Sequence, residues 1–472
     1  MPARAHKMLV RDFVFHSLYA PEVGYFQRPG DVVGSLRDRA APADASEAAI
    51  EAGRVRQGLD FNDMLGETEY RHTVAQHYSQ GGSAWLTPSE LFHPWYAAAV
   101  ARFVVEQLRA QSPGGLGVGG SELEGKVNAG SQTKKLRVIE IGGGNGTFAL
   151  GFADYLQVHH PKIYQDLEYT LVEVSEKLAA MQRARVCSRH GAVSVVVADG
   201  TDAATIRALN WGPTDDEAVF FMGFEVLDNM PHDKIVVGDD GVVRQAVVRR
   251  PDGSEVLQTD WQAGGGVVEE LEPLTDGWIQ ACLQASGGGG VPEVAGVAVA
   301  WGGANRTEDR RDPNEDFRRH LKGLWHRVAS RVGLDARKEV FVPTKAFAFL
   351  SALAESFPAA TVLLADFDQL PDAIAGVNGP VVQSKEDGRS SFHATYLVPP
   401  GTADIFHPTD FGQLQNMFRF LTGVEGHIFS HRDFALRYGD LNKTATMSGY
   451  NPLVEDYSNM AMFVSQLHTS NN

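Results

Sequence analysis

From Arg137 the chain alternates short, continuously apolar runs with longer stretches in which apolar residues return every three or four positions. "RVIEI", "EYTLVEV", "VSVVVA" and "AVFFMGF" are short, apolar and rich in β-branched and aromatic residues, which predicts strands buried on both faces. A helix running to about Tyr155 and another through "SEKLAAMQRARV" separate them. "ATVLLADF" resumes the strand pattern, and "SFHATYLVPPG" reads as a late or edge strand. Strands alternating with helices predict an α/β fold, an open Rossmann-like parallel sheet with helices on both faces.

The flanking text differs. "KMLVRDFVFHSLYAPEVGYF" has helical spacing and breaks at Pro21 and Gly24. The polar stretch from Asp31 to Gly58 reads as a surface excursion. "SELFHPWYAAAVARFVVEQLRAQ" predicts a helix entered through Ser89, with Pro94 in its first turn or at a kink. "SPGGLGVGGSELEGKVNAGSQTKK" has linker composition. After Pro231, "KIVVGDDGVVRQAVVRRPDGSEVLQTDWQ" predicts two or three antiparallel strands turning at "GDDG" and "PDGS". The run "RTEDRRDPNEDFRR" reads as a solvated face before a helical region ending near Phe357. The expected division is an N-terminal helical cap and linker over 1–130, a first core part over 131–232, and an inserted β/helical lobe over 233–343. A second core part over 344–412 and a C-terminal helix with a polar tail over 413–472 complete it.

Composition narrows the function classes. At 472 residues, 43% hydrophobic and 21% charged, the chain has the makeup of a folded, water-soluble protein. Its 42 basic and 59 acidic residues give a net charge of -17, which argues against nucleic acid or an anionic membrane surface as partner. No window reaches the roughly 20 apolar residues of a membrane-spanning helix, so no membrane insertion is expected. Cys187 and Cys282 lack neighbouring cysteines and read as reduced thiols. "HIFSH" sets His427 and His431 at the i, i+4 spacing of one helix face, but no glutamate follows the first histidine, and no metal is expected.

The chemistry gathers around "VIEIGGGNGTFAL". Gly142, Gly144 and Gly146 follow a buried strand, at the carboxyl edge where an α/β sheet binds ligands. The third position of a dinucleotide fingerprint falls on Thr147, and no Gly-Lys-Ser/Thr follows as in a P-loop. Glu140 inside the strand would repel a pyrophosphate and attract the amino group and sulfonium of S-adenosylmethionine. Glu173, ending the next strand, can accept both ribose hydroxyls, the weaker alternative being a helix N-terminal charge beside Ser175. Asp199 in "VVVADG" suits the adenine amino group or a plain turn before Gly200. In "FFMGFEVLDNMP", Glu225 and Asp228 lie three apart, able to share a helix face and hold a cation between them.

"VIEIGGGNGTFAL", "LVEVSEKL" and "GFEVLDNMP", in this order, resemble the MidA-type family, the mitochondrial complex I assembly-factor arginine methyltransferases. Its members carry E-L-G-P-G-x-G-T-L, L-V-E-x-S and N-E-x-x-D-A-x-P, matched here by Glu140–Phe148, Leu171–Ser175 and Phe224–Pro231. "LYAPEVGYF" and "WLTPSELF" resemble its P-x-x-G-Y-Y/F and T-S-P-E segments. "LLADFD", which holds Asp366, and "ADIFHPTDF" fall where it has D-Y-G and D-x-T-x-H-x-D-F. Gly143 replaces the family proline, Asn145 its arginine and Phe224 its asparagine. The resemblance implies a class I methyltransferase sheet, S-adenosylmethionine as cofactor, and symmetric dimethylation of an arginine on a respiratory complex I subunit. It also implies a mitochondrial location and a possible homodimer, although "MPARAHKMLVR" is short for a transit peptide. Glu140, Gly142, Gly144, Gly146, Glu173 and Asp199 would then bind cofactor. Glu225 would hold the guanidinium, Asp228 would assist, and Glu90 is the outlying candidate. A catalytically silent assembly protein with the same fold, and a nicotinamide oxidoreductase, are the competing readings.

Overall fold

The computed structural model describes residues 6–27, 59–80, 87–111, 134–238, 242–257, 266–287, 339–370, 379–386 and 389–466. The surface excursion, the linker up to Thr133 and the charged run "RTEDRRDPNEDFRR" predicted from sequence lie outside the described residues.

The chain opens with β1 (Lys7–Leu9) and α1 (Val10–Tyr19), followed after an interval by α2 (Glu67–Gln80), α3 (Pro88–Leu91) and α4 (Trp95–Gln111). Thr87, not Ser89, begins this region. Its side chain accepts the Glu90 N–H at 3.3 Å, and Pro94 falls between α3 and α4 instead of kinking one continuous helix. The predicted alternation then appears as β2 (Lys135–Ile141), α5 (Thr147–His159), α6 (Pro161–Gln165), β3 (Glu168–Glu173), α7 (Glu176–Gln182), β4 (Val193–Val197), α8 (Ala203–Leu209) and β5 (Glu217–Phe224).

The second lobe contains β6 (Asp233–Val237), β7 (Val243–Arg249), β8 (Val268–Pro273), α9 (Gly277–Ser286) and β9 (Glu339–Val342). The remaining elements are α10 (Thr344–Ser356), β10 (Thr361–Phe367), β11 (Val381–Glu386), β12 (Arg389–Phe392), β13 (Asp404–Phe406), α11 (Phe411–Thr422), β14 (His427–Ser430), α12 (His431–Tyr438), α13 (Leu441–Thr444), α14 (Pro452–Glu455) and β15 (Met460–Val464).

Among the described residues, seven strands form the main sheet in the order β14-β15-β10-β5-β2-β3-β4. β10, β5, β2, β3 and β4 run parallel, whereas β15 is antiparallel to β10, pairing Asp366 with Ala461. This corrects the C-terminal reading. Residues 413–472 are not a helix and a tail, because "MAMFV" returns as a fully buried strand of the main sheet. Likewise, only Ser391 and Phe392 of "SFHATYLVPPG" are extended in β12, within a separate small sheet of order β12-β11-β13.

Side-chain alternation gives the main sheet two different faces. Phe220, Met222, Leu363 and Ala365 pack with Phe103 of α4 and Phe152 of α5. Phe221, Leu364 and Phe463 pack on the other side against Phe349 of α10 and Met417 of α11. The inserted strands make an antiparallel sheet, β1-β7-β6-β9 with β8 on β7, in which the N-terminal Met8 faces Val248. Val10, Phe13, Val14 and Leu18 of α1 pack against this sheet through Ala246, Val248 and Phe341. Arg11 fastens the joint, donating to Asp233 at 2.6 Å and to both Asp276 carboxylate oxygens at 2.9 and 2.7 Å. The N-terminal helix and the insertion therefore approach the sheet edge together.

Candidate active site

The turn after β2 needs glycine where the chain is most crowded. Gly142 has φ of 67°, and a Cβ there would stand 2.4 Å from Val226 Cγ1, in the loop that follows β5. Gly146, at φ of 77°, opens α5, and Gly144 lies between them with its carbonyl accepting from Gln182 Nε2 at 2.8 Å. The bare backbone thus lets two strand-end loops touch.

A narrow crevice beside this turn is walled by Gly142, Glu173, Asp199, Thr201, Val226 and Asn229, with Phe15 and Tyr19 of α1 closing it. Glu173 is 4% exposed and accepts the Ser175 N–H at 2.9 Å and Gln182 Nε2 at 3.1 Å. Burial pushes its carboxyl up to about 7 despite those donors. Asp199 accepts from the Thr201 N–H and hydroxyl at 2.9 and 2.6 Å, and from Lys345 Nζ of α10 at 3.2 Å. The Tyr19 hydroxyl donates to the Asn229 carbonyl at 3.2 Å.

Glu140 is not part of that wall. It is 2% exposed and accepts the Tyr169 hydroxyl, and burial pushes its carboxyl up to about 8. Burial thus raises the carboxyl that the sequence reading took as a standing negative charge. Glu90 is also internal. It accepts from Asn145 Nδ2 at 3.3 Å and from the Thr147 hydroxyl, so α3 braces the glycine turn.

Glu225 and Asp228 occupy no helix. They sit on the irregular loop after β5, and Glu225 adopts φ of 54°, a left-handed conformation rare for a residue with a Cβ. Asp366 organises this loop. Fully buried at the end of β10, its Oδ2 accepts the N–H groups of Leu227 and Asp228 at 2.7 and 3.0 Å, while Oδ1 accepts that of Phe367 at 2.7 Å. Asn229 adds a second tether by donating to Asp404 Oδ1 at 2.9 Å. Asp228 is 8% exposed and its Oδ1 is buried without a hydrogen-bond partner.

Burial, then the charges of Asp366 and Glu90, raises the Glu225 carboxyl well above the usual range. Burial, then Asp366, Asp404 and Glu225, does the same to Asp228. Asp366 and Asp404 are each raised by burial to about 7. Such a cluster is short of positive charge and gains most from a cation that can take several carboxylate bonds.

The pieces fit an adenosyl sulfonium ligand. Glu173 retains lone pairs for ribose hydroxyls at the strand end, Asp199 offers an acceptor further along the edge, and Ile141, Val172 and Val226 supply apolar surface for a flat base. Sequence reasoning missed Tyr19, Gln182 and Asn229; the quoted "LYAPEVGYF" was the one signal for Tyr19. His427 and His431 do not share a helix face, because His427 lies in β14 and a buried His431 begins α12. Cys187 and Cys282 are free thiols.

A sequence model of a family described as putative S-adenosyl-L-methionine-dependent methyltransferases matches residues 124–430. The protein arginine methyltransferase NDUFAF7 homolog, mitochondrial, of Schizosaccharomyces pombe is 21% identical over 313 residues, which span 65% of this chain and 60% of that relative. A Burkholderia thailandensis structure solved with S-adenosyl-homocysteine aligns over 98% of this chain and 88% of its own, at 15% identity and a TM-score of 0.55. A native structure from the same organism aligns over 99% and 89%, at 15% identity and a TM-score of 0.53. Both agree with the Rossmann-like fold. With the family match extending from the linker to the end of β14, this chain belongs to the MidA-type family of putative S-adenosyl-L-methionine-dependent methyltransferases.

Proposed function

We propose that this protein methylates a guanidinium nitrogen of an arginine on another protein. The observation that carries the reading is the carboxyl cluster formed by half-buried Glu225 and buried Asp228, on the loop that also walls the crevice, with buried Asp366 behind them at the end of β10. A guanidinium is cationic at neutral pH and presents a planar fork of donors, which carboxylates match in charge and geometry. S-adenosylmethionine, when bound, supplies an electrophilic methyl group on sulfur. Glu225 holds and orients the guanidinium, and Asp228 offers its unpartnered Oδ1 to a second N–H. As the N–C bond forms, the methyl carbon's bond to sulfur breaks, the electron pair staying on sulfur to leave S-adenosyl-homocysteine, and the nitrogen gives up one proton, which an ionised carboxylate of the cluster accepts. Glu173 and Asp199 hold the adenosyl end, and Phe15 and Tyr19 restrict water.

The name of the yeast relative supports an arginine on a protein as acceptor and a mitochondrial location. Symmetric dimethylation of a respiratory complex I subunit, in support of assembly, is the further content of the proposal. We also propose that residues 233–343 and the N-terminal segment act as one cover over the core. Arginine mass spectrometry on proteins copurifying with this chain tests the function. Methylarginine present with the parent and absent with Glu225→Gln is expected; methylarginine formed equally by both would remove Glu225 from its role. Phe224, packed 4.3 Å from the Phe148 ring and 5.9 Å from Tyr96, supports a second reading, an assembly protein with a sealed acceptor side. That reading requires S-adenosyl-homocysteine binding without any methylarginine.

A further inference from the structure

A second opening lies at the carboxyl edge of the main sheet, away from the crevice. This wider, open groove is walled by Tyr70 of α2, Leu91 of α3, Phe367 at the end of β10, and Glu455, Asp456 and Tyr457 around the end of α14. Tyr70 and Leu91 belong to the core on the α4 side of the sheet. The crevice residues Ile141 and Val172 belong to the core on the α10 side. The two openings therefore flank the sheet edge from opposite faces, with the loop at Glu225 between them.

Strand alternation would send Glu225 to the crevice face, because Phe221 points to the α10 side and Phe220, Met222 and Phe224 to the α4 side. The left-handed turn at Glu225 breaks that alternation while its N–H still bonds the Ala365 carbonyl at 2.9 Å. The neighbouring Phe224 ring lies 5.9 Å from that of Tyr96 of α4, on the groove side, and the Glu225 carboxyl feels the charge of Asp366 and then that of Glu90 of α3. Leu91 and Phe367, in the groove wall, are the chain neighbours of Glu90 and Asp366.

We propose that the groove between α2, α3 and α14 is the docking surface for the protein segment that carries the target arginine. This rests on the methyl-transfer reading above. Two arguments select the occupant. Displacement at a methyl carbon needs the attacking nitrogen opposite the departing sulfur, so acceptor and donor must approach the loop from opposite sides, as the two openings do. The groove also sets the exposed Glu455 beside the half-buried rings of Phe367 and Tyr457, a lining that suits a guanidinium by charge and by cation–π contact, while Asp456 is already held by Arg71 and the Tyr450 hydroxyl. Arg71 already places one guanidinium here, 3.1 Å from Asp456.

Ala75 is exposed on the groove wall, outside the carboxyl cluster and the crevice, and it is the place to test the surface. Binding of acetyl-Gly-Gly-Arg-Gly-Gly-amide is measured calorimetrically on the full chain saturated with S-adenosyl-homocysteine, using the same peptide with alanine for arginine as control. Ala75→Glu is expected to tighten binding and Ala75→Arg to weaken it, each by about three- to tenfold at low salt, with S-adenosyl-homocysteine affinity unchanged. Ala75→Trp, which fills the groove, is expected to abolish the signal. The proposal is overturned if the two charge variants bind alike, if the alanine peptide binds as well as the arginine peptide, or if the parent binds neither. Failure of S-adenosyl-homocysteine itself to bind would instead refute the methyl-transfer reading.

Discussion

Replacing Glu173 by glutamine keeps the size of the side chain and removes its charge. Two ribose hydroxyls donating to a carboxylate are charge-assisted bonds of about 1.5–3 kcal/mol each, and an amide retains one acceptor oxygen. The loss of about 1.5–3 kcal/mol predicts roughly ten- to 100-fold weaker S-adenosyl-homocysteine binding at pH 8. The parent carries a further signature, because burial sets its Glu173 carboxyl at about 7. Ligand hydroxyls favour the ionised form, whose fraction falls from about nine-tenths at pH 8 to about one-hundredth at pH 5. Parent affinity should therefore drop approximately 100-fold over that range, while Glu173→Gln stays nearly flat. Glu140, at about 8, is present in both chains, so the difference between the two slopes reports Glu173 alone. Stability gives an independent reading with a definite sign. A carboxyl raised from 4.5 to about 7 on folding gives its full stability below pH 4.5 and loses it as pH rises through 7. That loss is about 3 kcal/mol, so the variant should gain on the parent across the window. Isothermal titration at pH 5, 6, 7 and 8 with thermal unfolding alongside is the assay. A parent affinity independent of pH, or a variant with the parent's slope, would refute Glu173 as the ribose acceptor.

Glu225→Gln should lower methylarginine formation at least about 100-fold, a loss of roughly 3 kcal/mol at the reacting centre, with S-adenosyl-homocysteine affinity within about twofold of the parent; mass spectrometry and calorimetry check both halves. Asp366→Asn keeps an oxygen for Leu227 and Asp228 but turns an amide donor toward the Phe367 N–H, so about 1–3 kcal/mol of stability should go, with kcat reduced and cofactor affinity retained. Unchanged kcat would show that the loop does not depend on this clamp. Arg11→Met strips the cation from a fully buried Asp233 and should cost about 3 kcal/mol in unfolding measurements, and adding Asp233→Asn should restore part of it. No recovery in the double variant would mean that Arg11 acts through packing alone.

The parallel half of the sheet was legible because its strands are buried on both faces and follow one another through short local helices. β15 was not, because five apolar residues after an irregular polar stretch carry no local mark of their partner; Phe463 pairs with Leu364, almost a hundred positions earlier. The same blindness to distance hid the role of Glu90, whose partners Asn145 and Thr147 lie across the unpatterned linker. His427 and His431 misled for another reason, since a four-residue interval means one helix face only if the backbone between them is helical, and here β14 occupies it. Glu225 and Asp228 were recognisable as acids at a strand end. The turn that separates Glu225 from the expected face depends on Gly142 opposite and on Asp366 in β10, neither of which its own neighbours reveal.

The placement of charge within the cluster also explains how so many acids can share one sheet edge. Asp366 receives three backbone N–H groups, which favour its charged form against burial and hold its carboxyl at about 7, while burial and the neighbouring acids raise Glu225 and Asp228 well above the usual range. An ionised Asp366 raises the cost of a second ionisation beside it. Each pKa unit that an arriving cation removes from Glu225 or Asp228 contributes about 1.4 kcal/mol to retaining that cation. A neutral side chain of the same size can exchange hydrogen bonds with protonated carboxyls but gains no charge attraction from them. Under the proposed arginine reading, selection of a guanidinium over an amide follows from the charge these acids can take up as much as from the geometry of any one of them.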